Sequence, residues 1–174
     1  MTLPMRRAAF TLIDLMVTLA VLAIVLIVAM PSFAPDNRTR LVAAANLFIA
    51  DLNNARALSV QNPADPVRVV IAEKGAGYFL ARASDPGAAI DLPTGVGGQY
   101  AVLFGEGSHA DLWDVRIAPA GVDHEDIAAG ALPFVAFDPF GRLSPQTDVR
   151  IEVRADGPAL TIVVRGDTGD AFVE

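Results

Sequence analysis

The residues able to do chemistry are few and scattered. The chain has two histidines, His109 and His124, and no cysteine. Asp111 stands near the first histidine, and Asp123, Glu125 and Asp126 flank the second. Imidazoles and carboxylates together can hold zinc. These two lie in separate loop-like segments, however, and no His-Glu-x-x-His spacing sets two ligands on one helix face. Asp123-His-Glu-Asp126 reads as a solvated acidic turn, and residues 120–131 lack the ligand alternation of a dedicated calcium loop. Ser59, Ser84, Ser108 and Ser144 have no Gly-x-Ser-x-Gly context. Gly95, Gly97 and Gly98 follow no clear strand and open no helix, so they read as loop glycines and not as a nucleotide cradle. Gly166-Asp-Thr-Gly169 has the local form of half an aspartic-protease dyad, but a second copy to share the proton is missing from the sequence. Trp113 reads as a packed strand residue. The expectation is a protein without enzymatic activity, cofactor or metal.

The remaining group is Asp14. It is the single charge in the twenty-three residues from Ala8 to Met30, and Arg6 and Arg7 stand just before. A carboxylate at mid-bilayer costs about 2.5–3.5 kcal/mol on insertion scales, so such residues usually have a partner and a purpose. A plainer reading keeps Asp14 close enough to the membrane interface to stay hydrated. Roughly 20 helical residues cross a hydrocarbon core of about 30 Å. Leu15 to Met30 is free of charge, and Phe10 to Ile13 extends the run at its start. That is longer than the core of an ordinary secretory signal, and Met30-Pro31-Ser32-Phe33 is no small-x-small cleavage site. The two arginines place the N-terminus in the cytoplasm by the positive-inside rule, which puts the bulk of the chain across the membrane.

Beyond the apolar run, Pro31 and Pro35 break or bend the helix, because proline lacks the donor and clashes with the preceding turn. Leu41, Ala44, Ala45, Phe48, Leu52, Ala55 and Leu58 then recur at three- and four-residue spacings. They predict an amphipathic helix over 38–60, with Arg40, Asp51, Asn53, Asn54 and Arg56 mostly on its other side. Gln61-Asn62-Pro63-Ala-Asp-Pro66 ends it. Short β-rich runs follow at 67–72, 78–82, 99–104, 113–118, 134–137, 149–154 and 160–164. Asp138-Pro-Phe-Gly141 and Asp156-Gly157 read as turns, and 83–98 and 120–131 as surface loops. A helix followed by antiparallel strands is an α+β arrangement. From Pro63 to Glu174 the chain carries eight Lys or Arg against seventeen Asp or Glu, a net −9. Such a domain repels nucleic acid, whose binding requires neutralised phosphates.

The N-terminus resembles that of type IV pilin-like proteins. These have a short basic leader, a small residue (usually Gly), then Phe-Thr-Leu-Ile-Glu-Leu and an apolar helix; here the sequence is Ala9, then Phe10-Thr-Leu-Ile-Asp14-Leu. The resemblance implies a leader of residues 1–9, cleaved by prepilin peptidase between Ala9 and Phe10, with methylation of the new Phe10 amine. It implies a helix over 10–62 whose first part, 10–30, spans the inner membrane, bent near Pro31. Residues 63–174 would form a β-rich periplasmic domain. Asp14 would pair with the Phe10 amine of a neighbouring subunit during filament assembly, and its shorter reach than Glu points to a minor subunit. Ala55-Arg-Ala-Leu-Ser59, Phe137-Asp-Pro-Phe-Gly-Arg142 and Thr168-Gly169 are similar to motifs of pseudopilin H of type II secretion systems and of FimT minor pilins. That implies a minor pseudopilin with other pseudopilins or pilins, the peptidase and the membrane as partners. The alternative is a FimT-type pilus subunit, some of which capture DNA through basic C-termini. Gly166 to Glu174 holds no Lys or Arg, and no nucleic-acid partner is expected.

Overall fold

A computed structural model describes residues 12–29, 37–91 and 98–174, with side chains as far as residue 25 in the first stretch. The chain divides into two compact units, Met1–Asp36 and Asn37–Glu174. The first holds α1, Leu12–Ala29. Its side chains from Leu12 to Val25 are all exposed within the unit. A helix apolar all round is stable only in lipid or among other apolar helices. Its 18 residues rise through about 27 Å. By itself no helix of the described residues is long and apolar enough to cross a membrane; in sequence the uncharged run continues past α1 to Met30.

The second unit opens with α2, Asn37–Gln61, followed by eight strands: β1 Val67–Ile71, β2 Gly77–Arg82, β3 Ala101–Leu103, β4 Arg116–Pro119, β5 Phe134–Ala136, β6 Val149–Arg154, β7 Ala159–Val164 and β8 Ala171–Val173. They form two four-stranded antiparallel sheets, ordered β3-β2-β1-β5 and β4-β6-β7-β8. This is the α+β architecture expected. In the clearest hairpin, alternation sets the register: Ile151 pairs with Ile162 and Val153 with Leu160, and Gly157 takes φ +98° in the turn between β6 and β7.

α2 joins the two sheets. Leu41, Ala44, Ala45, Phe48, Leu52 and Ala55 are buried, and the helix packs on β1 of one sheet and on β6, β7 and β8 of the other. Fully burying side chains such as Leu41, Phe48 and Leu52 stabilises by about 1.5–3 kcal/mol each. The alanines between them let the helix approach the strands closely.

Two polar residues sit on that buried face against expectation. Ser59 Oγ lies 2.8 Å from the Ala55 carbonyl and 3.0 Å from that of Val67, and accepts from the Val67 N–H at 2.9 Å. It ties the end of α2 to the start of β1. Asp51 is the second. The run expected at 113–118 becomes a strand only at Arg116, because Gly107–Leu112 winds into a 3-10 turn that Trp113 closes. β8 went unanticipated.

Candidate functional site

Asp14 lies in the first turn of α1, the end of a helix where a carboxylate is favoured by the macrodipole. Thr18 donates its hydroxyl to the Asp14 main-chain carbonyl four residues back, which satisfies the only other polar side chain between Leu12 and Val25 without a solvent partner. Around these two stand Leu12, Ile13, Leu15, Met16, Val17 and Leu19, all exposed. The turn is an apolar surface carrying one acid. Ala9, Phe10 and Pro31, the cleavage, pairing and bend residues read from the sequence, lie outside the described residues.

In the second unit, three short motifs far apart in sequence meet at one place. The Asp138–Gly141 turn closes with a bond from the Gly141 N–H to the Asp138 carbonyl at 2.9 Å. Gly141 takes φ +78°, and a Cβ there would lie 2.8 Å from Arg56 Nε. Gly169 takes φ +74°, and its Cβ would lie 2.1 Å from the Gly141 carbonyl oxygen. Both glycines are needed for their backbone conformation and for this close approach. Arg56 completes the seam by reaching Asp170 at 2.9 Å. Asp138 accepts from the Phe140 and Arg142 N–H groups at 2.9 Å, and Arg142 Nε also bonds it at 2.9 Å. Partial burial pushes the Asp138 carboxyl up, but its bonds to Arg142 and Phe140 outweigh that and hold it below the usual carboxylate range. Phe140 is left at the tip, 77% exposed, with the Arg142 guanidinium over its ring at 5.1 Å.

Asp51, expected on the polar side of α2, is 6% exposed. Its carboxyl group accepts from Tyr78 at 2.6 Å and from Tyr100, whose hydroxyl also accepts from Asn54 at 3.2 Å. Burial, and then the neighbouring Asp51, raise the Tyr78 hydroxyl far above its ordinary value, and burial followed by the Asp51 bond raises Tyr100. Both tyrosines therefore stay protonated and donate, pinning β2 and the approach to β3 onto α2. The network is structural; no sequence spacing pointed to it, since its members are 27 and 49 positions apart.

The two histidines are not brought together. His109 lines a recess beside Asp51 and Tyr100, and His124 a different cleft beside Arg116 and Arg154. Among the described residues no three His, Cys, Asp or Glu side chains converge as a metal site. Gly166-Asp-Thr-Gly169 forms the β7–β8 connection: the Gly166 N–H donates to Asp148 at 2.7 Å and the Gly169 N–H to the Arg165 carbonyl at 2.9 Å. The sequence reading of Trp113 as a packed residue is corrected, since 60% of it is exposed. The 3-10 turn before it rotates it out of any strand.

The model of the prokaryotic N-terminal methylation motif matches residues 4–30, a stretch that includes Ala9, Phe10 and Asp14. No curated protein sequence matches the chain. Among solved structures, the type IV minor pilin FimU of Pseudomonas aeruginosa is similar with a TM-score of 0.50 at 18% identity, over 79% of this chain and 90% of FimU. FimU in a second crystal form gives 0.47 at 17% identity, over 77% and 92%. At such identity the likeness concerns the fold: an N-terminal helix followed by an antiparallel sheet domain. The N-terminus thus carries a prokaryotic N-terminal methylation motif, and the fold behind it is pilin-like.

Proposed function

We propose that the chain is a minor pseudopilin, held in the inner membrane by residues 10–30 with residues 63–174 in the periplasm, and assembled with other pilin-type subunits into a pseudopilus for protein secretion. Prepilin peptidase cuts between Ala9 and Phe10, and the Phe10 amine of one subunit meets the Asp14 carboxylate of another in the apolar interior of the filament. The observation that carries this reading is Asp14 itself, one acid in the first turn of a helix whose described side chains are otherwise almost wholly apolar and exposed. A charge in low dielectric persists when it is paired, and removing one partner of a buried pair costs about 3–5 kcal/mol. The acidic β domain and the pseudopilin-like motifs around Arg56, Gly141 and Gly169 support the secretion role.

In the test, Asp14→Ala and Asp14→Glu are expressed as full chains in the native host. Carbonate-resistant membrane association reports insertion, and cross-linking to neighbouring subunits reports incorporation. Asp14→Ala should insert normally and fall more than tenfold in incorporation, whereas Asp14→Glu should retain it. Equal incorporation of all three would refute the pairing.

The fold shared with a type IV minor pilin supports a second placement, in a pilus. Deleting the gene distinguishes the two: loss of secreted proteins from the medium marks the pseudopilus, and loss of surface pili the pilus. DNA capture is not expected of a net −9 domain, and a low-salt gel shift should show no complex.

A further inference from the structure

Between β4, the β6–β7 turn and the 3-10 turn at His124–Asp126 lies an open cleft of about 470 Å³, within the usual range for small-molecule sites of about 300–1,000 Å³. Trp113 stands on its rim, and Arg116, His124, Glu125, Arg154 and Asp156 line it. The chain has one tryptophan and leaves it 60% exposed. An exposed indole is a large apolar surface, and such rings concentrate where one end packs and the other recognises something.

The ring is held in place. The Arg40 guanidinium lies over it at 5.1 Å and is fixed by Asp114 at 2.8 Å, with both side chains of that pair nearly buried. Arg116 donates to the Val115 carbonyl at 2.7 Å and to that of Trp113 at 3.4 Å, fixing the main chain beneath the ring. Gly105 leaves room for the Trp113 main chain, since a Cβ there would lie 2.9 Å from the Trp113 Cα. A ring pinned this way loses little freedom on binding, which favours affinity.

The polar lining selects the class of ligand. Arg116 and Arg154 supply donors fixed in planar forks; Glu125 and Asp156 supply acceptors; His124 supplies either. Arg154 is held by Glu152 through Nε and a terminal nitrogen, and His124 sits 3.3 Å from Asp123 and 3.5 Å from Glu125. A simple anion would meet the carboxylates of Asp114, Glu125 and Asp156 in the cleft, and a simple cation two guanidinium groups. Hydroxyl groups donate and accept at once, so a polyhydroxyl ligand suits this mixture, and a hexopyranose with equatorial substituents also offers a flat C–H face to the indole. We infer that this cleft is a saccharide-binding site for a glycan chain of equatorially substituted hexose units, with Trp113 as platform and Arg116, Arg154, Glu125 and Asp156 as hydrogen-bonding groups.

Because Trp113 is the sole tryptophan, its fluorescence reads the cleft directly. The full chain in a detergent without a sugar headgroup is titrated with cellotetraose, chitotetraose, inorganic phosphate and glycerol. Either tetrasaccharide should give a saturable change in Trp113 emission with half-saturation near or below about 1 mM, and phosphate and glycerol none. Asp156→Asn and Arg116→Ala should each raise the half-saturation at least about fivefold, with far-UV circular dichroism unchanged for the former, whose side chain makes no hydrogen bond or ion pair among the described residues. Calorimetry on Trp113→Phe should show no binding. The inference is overturned by the absence of saturation up to about 10 mM, by a response to phosphate alone, or by saccharide binding that survives in Trp113→Phe.

Discussion

Replacing Gly169 with Ala tests whether the seam between the two turns and α2 is a structural keystone of the second unit. Two costs combine. The residue takes φ +74°, where a Cβ costs roughly 1–2 kcal/mol. Its Cβ would also lie 2.1 Å from the Gly141 carbonyl oxygen and 3.3 Å from Arg56 Nε. Contact below 3 Å with main-chain atoms cannot be relieved by a rotamer change, so the two turns must part, and overpacking of this kind costs typically about 1–3 kcal/mol. The expected loss is about 2–5 kcal/mol. Gly157→Ala is the control: it has φ +98° and nothing within 4 Å of the added Cβ, so only the conformational cost of roughly 1–2 kcal/mol applies. Urea unfolding of the 37–174 unit, followed by circular dichroism, reads both. With a slope of about 1–3 kcal/mol per molar, Gly169→Ala should lower the midpoint by about 1 M more than the control. Equal midpoints would refute the close-approach argument and leave the glycine's conformation as its whole role.

Asp51→Ala removes the shared acceptor of Tyr78 and Tyr100 and should cost about 1–3 kcal/mol for the Tyr78 hydroxyl left buried without a partner, and less for the half-buried Tyr100, which keeps Asn54; Asp51→Asn, which keeps an acceptor, should cost less, and thermal unfolding ranks the two. Asp138 has a folded pKa below its unfolded one, so its contribution to stability is complete above about pH 4 and is lost as pH falls through the lower folded value. Asp138→Asn should therefore be less stable at neutral pH and show a flatter stability profile between about pH 5 and 2. Given the proposed cut after Ala9, where Gly is usual and the added methyl should slow the peptidase, Ala9→Gly should increase the fraction of chain beginning at Phe10, measured by intact mass of the membrane-extracted protein; an unchanged fraction counts against that slowing.

Much of this molecule could be read along the chain because its signals are local. The three- and four-residue spacing from Leu41 to Ala55 marks α2, the alternation in Val149–Arg154 marks β6, and Asp156-Gly157 marks the turn that follows. The likeness of the N-terminus to pilins rests on consecutive residues and needed no fold at all. What escaped depends on partners distant in sequence. Asp51 was assigned to the polar side of α2 because a carboxylate there is ordinarily solvated; only the arrival of Tyr78 and Tyr100 makes its burial favourable. Leu58 and Ser59 exchange roles for a similar reason: the Val67 main chain gives Ser59 two partners, so the hydroxyl is buried and the leucine only half so. Trp113 was placed in a strand on propensity, whereas the preceding 3-10 turn directs it outward beside Arg40 of α2. β8 is three residues long, and its pairing with β7 exists only because the Gly166–Gly169 turn folds the chain back.

The packing of α2 across both sheets also dictates when the domain can finish folding. The helix is the first element of its unit to be made, and β1 follows within a few residues, but its second set of partners lies at the far end of the chain. Asn37 bonds Asp156 across 119 positions, and Arg56 bonds Asp170 across 114. Closing loops of that length is entropically costly and slow. A chain still being delivered has α2 covered on one side only, its other apolar face waiting for β6, β7 and β8. The last five residues, from Asp170 to Glu174, contain both the Arg56 partner and the closing strand, so clipping them would reopen a helix made more than a hundred residues earlier.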